Sequence, residues 1–74
     1  MTSTATAKLQ ITLNGETTTL DGARTVQDLV QQLGLDIRKV AIERNLAIVP
    51  RDRFAATPIQ DGDRIEIVGF IGGG

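Results

Sequence analysis

The 74-residue sequence contains no cysteine, histidine, tryptophan or tyrosine, and only two phenylalanines. Without cysteine and histidine, the chain has no disulfides, no zinc site built on those ligands, and no Cys nucleophile or His base. The same absence fits a reducing compartment, and we expect a cytoplasmic protein. Because aromatic side chains are so few, stacking platforms for nucleic-acid bases are excluded as well.

The sequence also lacks a large excess of either charge sign and any long apolar run. The net charge is −1, from eight basic and nine acidic residues, so we predict neither nucleic acid nor membrane as a partner. No apolar run approaches the roughly 20 residues of a membrane-spanning helix. Residues 1–7 are rich in Thr, Ser and Ala but lack the apolar core of a signal peptide, and we predict a flexible leader there. A single domain of this size has little room for an enclosed active site.

The first element predicted by the sequence is a hairpin. Apolar and polar residues alternate from Leu9 to Leu13, the period of a half-buried strand. The pair Asn14-Gly15 favours a two-residue turn because both residues accept positive φ. The partner strand is the Thr-rich segment 16–20. The register set by this turn pairs Leu9 with Leu20, Ile11 with Thr18 and Leu13 with Glu16.

A helix follows. Thr25 is placed as its N-cap, with Asp28 three residues later in a capping-box arrangement, and Gly34 stands where a C′ glycine ends a helix. The spacing i, i+3, i+4, i+7 predicts one apolar stripe, made of Val26, Leu29, Val30 and Leu33.

The second half of the sequence predicts three more strands, at residues 40–44, 47–49 and 64–69. Pro50 ends the second of them, which suits a sheet edge. Residues 51–60 are predicted to be irregular, with Phe54 as an anchor. In the last strand Ile65 and Ile67 share one phase and are expected to face the core, and the same phase places Val68 and Phe70 on the opposite, uncovered face.

Two groups of charged residues are candidates for side-chain catalysis. Asp61 and Asp63 flank Gly62 before a strand, a pattern typical of a turn in which Asp side chains bond the backbone. Glu43 and Arg44 are interpreted as a solvated strand end. Neither group predicts an active site.

The expected fold is α+β. A single amphipathic helix can cover one face of a sheet of about five strands, which gives two layers. A hairpin, a crossover helix and a returning last strand match the β-grasp plan with a mixed sheet. We assign residues 8–69 to this domain and residues 70–74 to a flexible tail.

The tail ends in three glycines, an arrangement with odds of about 3 in 10,000 at average glycine usage. Glycines add nothing to a structured strand, but a glycine tail can enter a narrow slot in another protein. If a partner adenylates the carboxylate of Gly74 with ATP, a sulfur nucleophile can displace AMP and leave a thiocarboxylate. A passive tail or cloning remnant explains the glycines equally well, so the tail alone leaves both interpretations open.

Several segments resemble one family. These are Leu13-Asn14-Gly15-Glu16, Thr25-Val26 with Leu29 and Leu33, Ala41-Ile42-Glu43-Arg44-Asn45 leading to Ile48-Val49-Pro50-Arg51, Asp61-Gly62-Asp63 with residues 65–68, and the closing Phe70-Ile71-Gly72-Gly73-Gly74. From about Leu9 to Gly74 the sequence is similar to the ubiquitin-like sulfur carrier proteins of thiamine thiazole biosynthesis. The Asp-Gly-Asp and Gly-Gly motifs are shared with the sulfur carriers of molybdopterin synthesis. Those carriers usually have a Pro-rich segment where Gly69-Phe70-Ile71 stands here, and Phe54 replaces a Trp that is frequent in similar proteins.

This resemblance implies a protein cosubstrate, not an enzyme, with no permanently bound cofactor and no metal. A ubiquitin-activating-like adenylyltransferase would use ATP and Mg²⁺ to adenylate Gly74, a persulfide donor would supply sulfur, and thiazole synthase would receive it. The predicted partner-binding residues are Val68, Phe70, Ile71, Gly72 and Gly73. Two alternatives stay open: a sulfur carrier of molybdopterin or other cofactor biosynthesis, and a ubiquitin-like protein modifier.

Overall fold

The computed structural model describes residues 8–69, and the predicted leader 1–7 and tail 70–74 lie outside the described residues. The described chain forms five strands, one α-helix and two 3₁₀ helices. The strands are β1 (Lys8–Leu13), β2 (Glu16–Asp21), β3 (Val40–Arg44), β4 (Ala47–Val49) and β5 (Arg64–Gly69). The helix α1 spans Val26–Gln32, and the 3₁₀ helices span Ile37–Lys39 and Arg51–Ala56.

The sheet is mixed and has the strand order β2-β1-β5-β3-β4. Strands β1 and β5 are parallel at the centre, and the other neighbours are antiparallel. The predicted hairpin is confirmed, including the pairs Leu9–Leu20, Ile11–Thr18 and Leu13–Glu16. Its turn residues have positive φ, 50° at Asn14 and 85° at Gly15, as the sequence indicated. This topology confirms the predicted α+β fold with one main helix on a five-stranded mixed sheet.

The start of α1 is fixed by the predicted capping box. The Asp28 N–H donates to Thr25 Oγ1 at 3.1 Å, and the Asp28 carboxylate accepts from the N–H groups of Arg24 at 2.9 Å and Thr25 at 3.0 Å. The two hydrogen bonds that the Asp28 carboxylate accepts lower its pKa, and the one from the Arg24 N–H has the larger effect. They occupy backbone donors that have no partner inside the helix.

The end of the helix corrects one prediction. Val26, Leu29 and Val30 are buried as expected, but Leu33 is 43% exposed. The helix ends at Gln32, and the backbone then turns through Gly34, whose φ is +72°. Because Leu33 is the C-cap and lies past the last helical turn, it does not continue the buried stripe.

The core lies between α1 and one face of the sheet. Its largest fully buried side chains are Phe54, Ile11, Leu29, Ile42, Ile65, Val26 and Val30. Phe54 anchors the core as predicted, but the prediction of an irregular segment at 51–60 was wrong in its first half. Residues Arg51–Ala56 form a 3₁₀ helix that packs against α1, and this helix directs Phe54 inward.

Candidate functional site

The end of β5 is the place from which the predicted tail begins. Ile65 and Ile67 are buried, as expected, and Val68 is 61% exposed on the opposite face. Of the predicted partner-binding residues, Val68 alone lies within the described residues. The predicted roles of Phe70, Ile71, Gly72, Gly73 and Gly74 fall on residues outside the described part of the chain and stay predictions.

The last rungs of β5 are held by its neighbour β3. Gly69 pairs with Val40, and Val68 pairs with Ala41. On its other side β5 pairs with β1 only near its start, at Thr12–Arg64 and Leu13–Ile65. The point where residues 70–74 begin is therefore positioned by an antiparallel ladder in the interior of the sheet.

Asn14 adds contacts between the first hairpin and β5 beyond the two residue pairs that join β1 to β5. Its N–H donates to the Ile65 carbonyl at 2.9 Å, and its side-chain Oδ1 accepts from the Ile67 N–H at 2.8 Å. The sequence predicted Asn14 as a turn residue only. Its second role, positioning the strand that precedes the tail, depends on a contact across 53 residues of sequence.

The face of the sheet that α1 leaves uncovered carries an apolar patch with two carboxylates. We call this group of residues the open face: Ala41, Glu43, Ile48, Glu66 and Val68. They surround a shallow depression of about 140 Å³. Ile48 is 75% exposed, the largest exposed fraction among the large apolar side chains of residues 8–69. The interpretation of the sequence missed Ile48 and Glu66, although their alternation with buried Val49 and Ile67 was a usable signal.

Arg44 corrects a further prediction, because it is not part of a solvated strand end. Its Nε donates to Asp63 Oδ2 at 2.7 Å, and the Asp63 side chain is only 7% exposed. Asp63 also accepts from Asn45 Nδ2 at 3.0 Å and from the Gln60 N–H at 2.8 Å. Burial acts to raise the pKa of Asp63, but the hydrogen bonds from Gln60, Arg44 and Asn45 outweigh it and hold that pKa below its ordinary value.

This cluster is structural. It fastens the β3–β4 turn to the turn before β5, and each buried polar group has a partner. The predicted turn at residues 61–63 is confirmed, since Asp61 Oδ1 accepts from the Gln10 N–H at 2.8 Å and Asp63 accepts from Gln60. The carboxylates are thereby occupied with the backbone, so this turn offers no catalytic pair.

Within residues 8–69, no group of three or more His, Cys, Asp or Glu side chains is placed to hold a metal ion. The helices of the same segment are all too short or too polar to span a bilayer.

Comparison with known proteins places the chain in a family. The ThiS family model matches residues 11–74. A thiazole synthase of Paramagnetospirillum magneticum is 48% identical over 66 residues, which are 89% of this chain and 20% of that protein. This chain therefore spans about a fifth of that relative's length. The sulfur carrier protein ThiS of Bacillus subtilis is 42% identical over 50 residues, covering 68% of this chain and 76% of that protein.

A solved structure agrees with the sequence match. The crystal structure of the thiamine biosynthesis protein ThiS from Geobacter metallireducens superimposes with a TM-score of 0.75 at 36% identity, covering 89% of this chain and 100% of that one. The family match begins at residue 11 and extends through Gly74. The chain belongs to the ThiS family.

Proposed function

We propose that this ThiS family sulfur carrier of thiamine biosynthesis carries its sulfur on the carboxylate of Gly74. A carboxylate oxygen attacks the α-phosphorus of ATP on a partner adenylyltransferase, and pyrophosphate leaves. The terminal sulfur of a persulfide then attacks the acyl carbon, and AMP leaves. A thiol reduces the resulting acyl disulfide, so that the thiocarboxylate is released and the thiol and the donor sulfur form a disulfide.

The observation that carries this proposal is the family match, which runs through the three terminal glycines and includes Gly74. The fold is consistent with it, because β5, the strand that precedes residues 70–74 in the sequence, lies in the interior of the sheet between β1 and β3. A glycine segment has no Cβ atoms, so it can enter a channel too narrow for other residues. The chain acts as a cosubstrate: ATP and Mg²⁺ are used by the partner, and this protein supplies the acyl group.

Thiazole synthase is the acceptor we propose. The support is the similarity between this chain and a segment of a relative named thiazole synthase. In that acceptor the thiocarboxylate sulfur enters the thiazole precursor, and the Gly74 carboxylate is regenerated. The compartment we propose is the cytoplasm, where a thiol reductant is abundant.

Reconstitution tests this function. The purified chain is incubated with the adenylyltransferase, Mg·ATP, a persulfide donor and a thiol, and then with thiazole synthase. We expect pyrophosphate release that depends on this chain, followed by sulfur incorporation into the thiazole product. Isopeptide conjugates on lysines would instead indicate a protein modifier. Sulfur transfer to a molybdopterin synthase, with none to thiazole synthase, would indicate the other carrier class.

A further inference from the structure

The open face contains a charge arrangement that the fold itself does not need. Glu43 and Glu66 are directly opposite each other in the β3–β5 ladder, and like charges at such positions are destabilising. Among residues 8–69 neither carboxylate takes part in an ion pair or a side-chain hydrogen bond. Arg64 lies two residues before Glu66 on the same face, but it comes within 4.0 Å of neither.

Apolar side chains surround this pair of carboxylates. Ile48 is the cross-strand neighbour of Glu43, and Val68 follows Glu66 on the same face, opposite Ala41. Both large side chains are more than half exposed, Ile48 by 75% and Val68 by 61%. An apolar surface with two uncompensated like charges at its centre is complementary to an apolar partner surface that presents a cation.

The open face is also close to the proposed reactive group. Val68 is one residue before the end of β5, and five residues separate Gly69 from the end of the sequence. Five residues span at most about 17 Å when fully extended. A protein that acts on the Gly74 carboxylate must therefore bring its own surface close to the end of β5, where the open face begins.

We propose that the open face is the docking surface for thiazole synthase, and that Glu43 and Glu66 together accept one lysine or arginine of that enzyme. Ile48 and Val68 pack against apolar side chains around that cation. An arginine suits the site best, because its planar guanidinium can bond two carboxylates at once. The inference rests on the proposed function, since it assigns a surface to the acceptor named there.

Thiazole synthase is the occupant that the comparisons favour. In the Paramagnetospirillum relative, the segment similar to this chain belongs to a protein five times as long that is named thiazole synthase. A standard interface buries about 800 Å² on each partner. The five side chains of the open face cannot provide that area alone. We therefore expect the open face and the tail to be engaged together.

The test compares two pairs of substitutions with the same charge change. The variant E43Q/E66Q neutralises the open face, and E16Q/D21N neutralises two exposed carboxylates at the ends of the edge strand β2. Binding of each full-length chain, in its carboxylate form, to purified thiazole synthase is measured by titration calorimetry at low salt. We expect E43Q/E66Q to weaken binding about tenfold or more and E16Q/D21N to stay within about twofold of wild type.

Two further readouts keep the result unambiguous. The thermal midpoint of E43Q/E66Q should equal or exceed that of wild type, because a repulsion is removed without loss of packing. Ile48→Ser should also weaken binding while the domain stays folded, since Ile48 is largely exposed. Equal weakening by both charge variants would show a long-range charge effect and overturn the assignment.

The remaining outcomes separate this inference from the proposed function. Wild-type binding with no loss in E43Q/E66Q would refute the docking surface and leave the acceptor in place. Binding to the adenylyltransferase is measured in the same way. If E43Q/E66Q loses affinity for the adenylyltransferase but not for thiazole synthase, thiazole synthase is refuted as the occupant. No binding of the wild-type chain to thiazole synthase in either carboxylate or thiocarboxylate form would remove the acceptor, and the proposed function with it.

Discussion

The side-chain oxygen of Asn14 accepts a hydrogen bond from the Ile67 N–H at 2.8 Å, and so joins the first hairpin turn to the strand that leads to the C-terminus. Asn14 can do this because it adopts φ = 50°, a conformation in which its side chain points across to β5. Among the residues other than glycine, asparagine is one of the few that adopt this backbone region readily. One residue thus serves the turn and the placement of β5.

Substitutions at Asn14 should separate these two roles. Asn14→Gly keeps the positive φ and removes the side-chain hydrogen bond, and we expect a loss of about 1 kcal/mol of unfolding free energy. Asn14→Ala also disfavours the turn conformation and should lose more. Urea unfolding measures both, and amide exchange should show a less protected Ile67 in either variant. Unchanged protection of Ile67 in Asn14→Gly would contradict the positioning role.

The ion pair between Arg44 and Asp63 should matter far more than the one between Arg38 and Asp36. Arg44→Ala leaves the buried Asp63 carboxylate without its cation, and we expect a destabilisation of about 2 kcal/mol, below the range for fully buried pairs because Arg44 is partly exposed. Arg38→Ala is the matched control, since the side chains of Arg38 and Asp36 are 79% and 34% exposed, and we expect little change. Chemical denaturation of both variants gives the comparison. Equal losses in the two would show that Asp63 gains nothing specific from Arg44.

Acid should weaken the fold partly through Asp63. Its pKa in the folded protein lies below the ordinary value of 3.8, so its contribution to stability is present above about pH 4 and is lost as the pH falls through the folded pKa. The difference in unfolding free energy between wild type and Asp63→Asn should therefore narrow as the pH falls below 3.8. Denaturation curves from pH 7 down to pH 2 measure it. If the difference in unfolding free energy stays constant over this range, the ionised form of Asp63 does not stabilise the fold.

The parts of the fold that the sequence predicted are those with local signals. The Asn14-Gly15 turn and the Thr25–Asp28 capping box each involve residues no more than three apart, and strand alternation was enough to place Val68 on the uncovered face. The 3₁₀ helix Arg51–Ala56 was missed because short 3₁₀ segments have no strong apolar period. The prediction that Leu33 is buried was wrong because the helix ends at Gln32 and the chain turns at Gly34.

Long-range contacts were not accessible from the sequence. The pairing of Arg44 with Asp63 and of Asn14 with Ile67 follows from the strand order, which brings β1, β3 and β5 together. Alternation could assign Ile48, Glu43 and Glu66 to the uncovered face one strand at a time, but their proximity depends on the order of β4, β3 and β5 in the sheet. The candidate site at residues 70–74 rests on the sequence and the family match, because those residues lie outside the described part of the chain.

A substitution at Gly73 should separate folding from function. Gly73→Val adds a branched side chain six residues after Ile67, the last core residue of β5, so the thermal midpoint should change little. In a narrow channel that leads to ATP the branch should block entry, and acyl-adenylate formation should be lost. Pyrophosphate exchange with the adenylyltransferase measures this, with Thr19→Val on the exposed edge strand as the control. Full exchange activity of Gly73→Val would mean that the glycines are a passive tail.

The central claim is that the working group of this protein is the carboxylate of Gly74, and mass spectrometry tests it most directly. The protein is purified from its native host without thiol-reactive reagents, and the intact mass and the C-terminal peptide are measured. We predict a fraction in which one sulfur replaces one oxygen, located on Gly74, and no such fraction in a chain extended by one alanine after Gly74. A sulfur-for-oxygen exchange that persists in the extended chain, or its complete absence from the native protein in cells making thiamine, would contradict the claim.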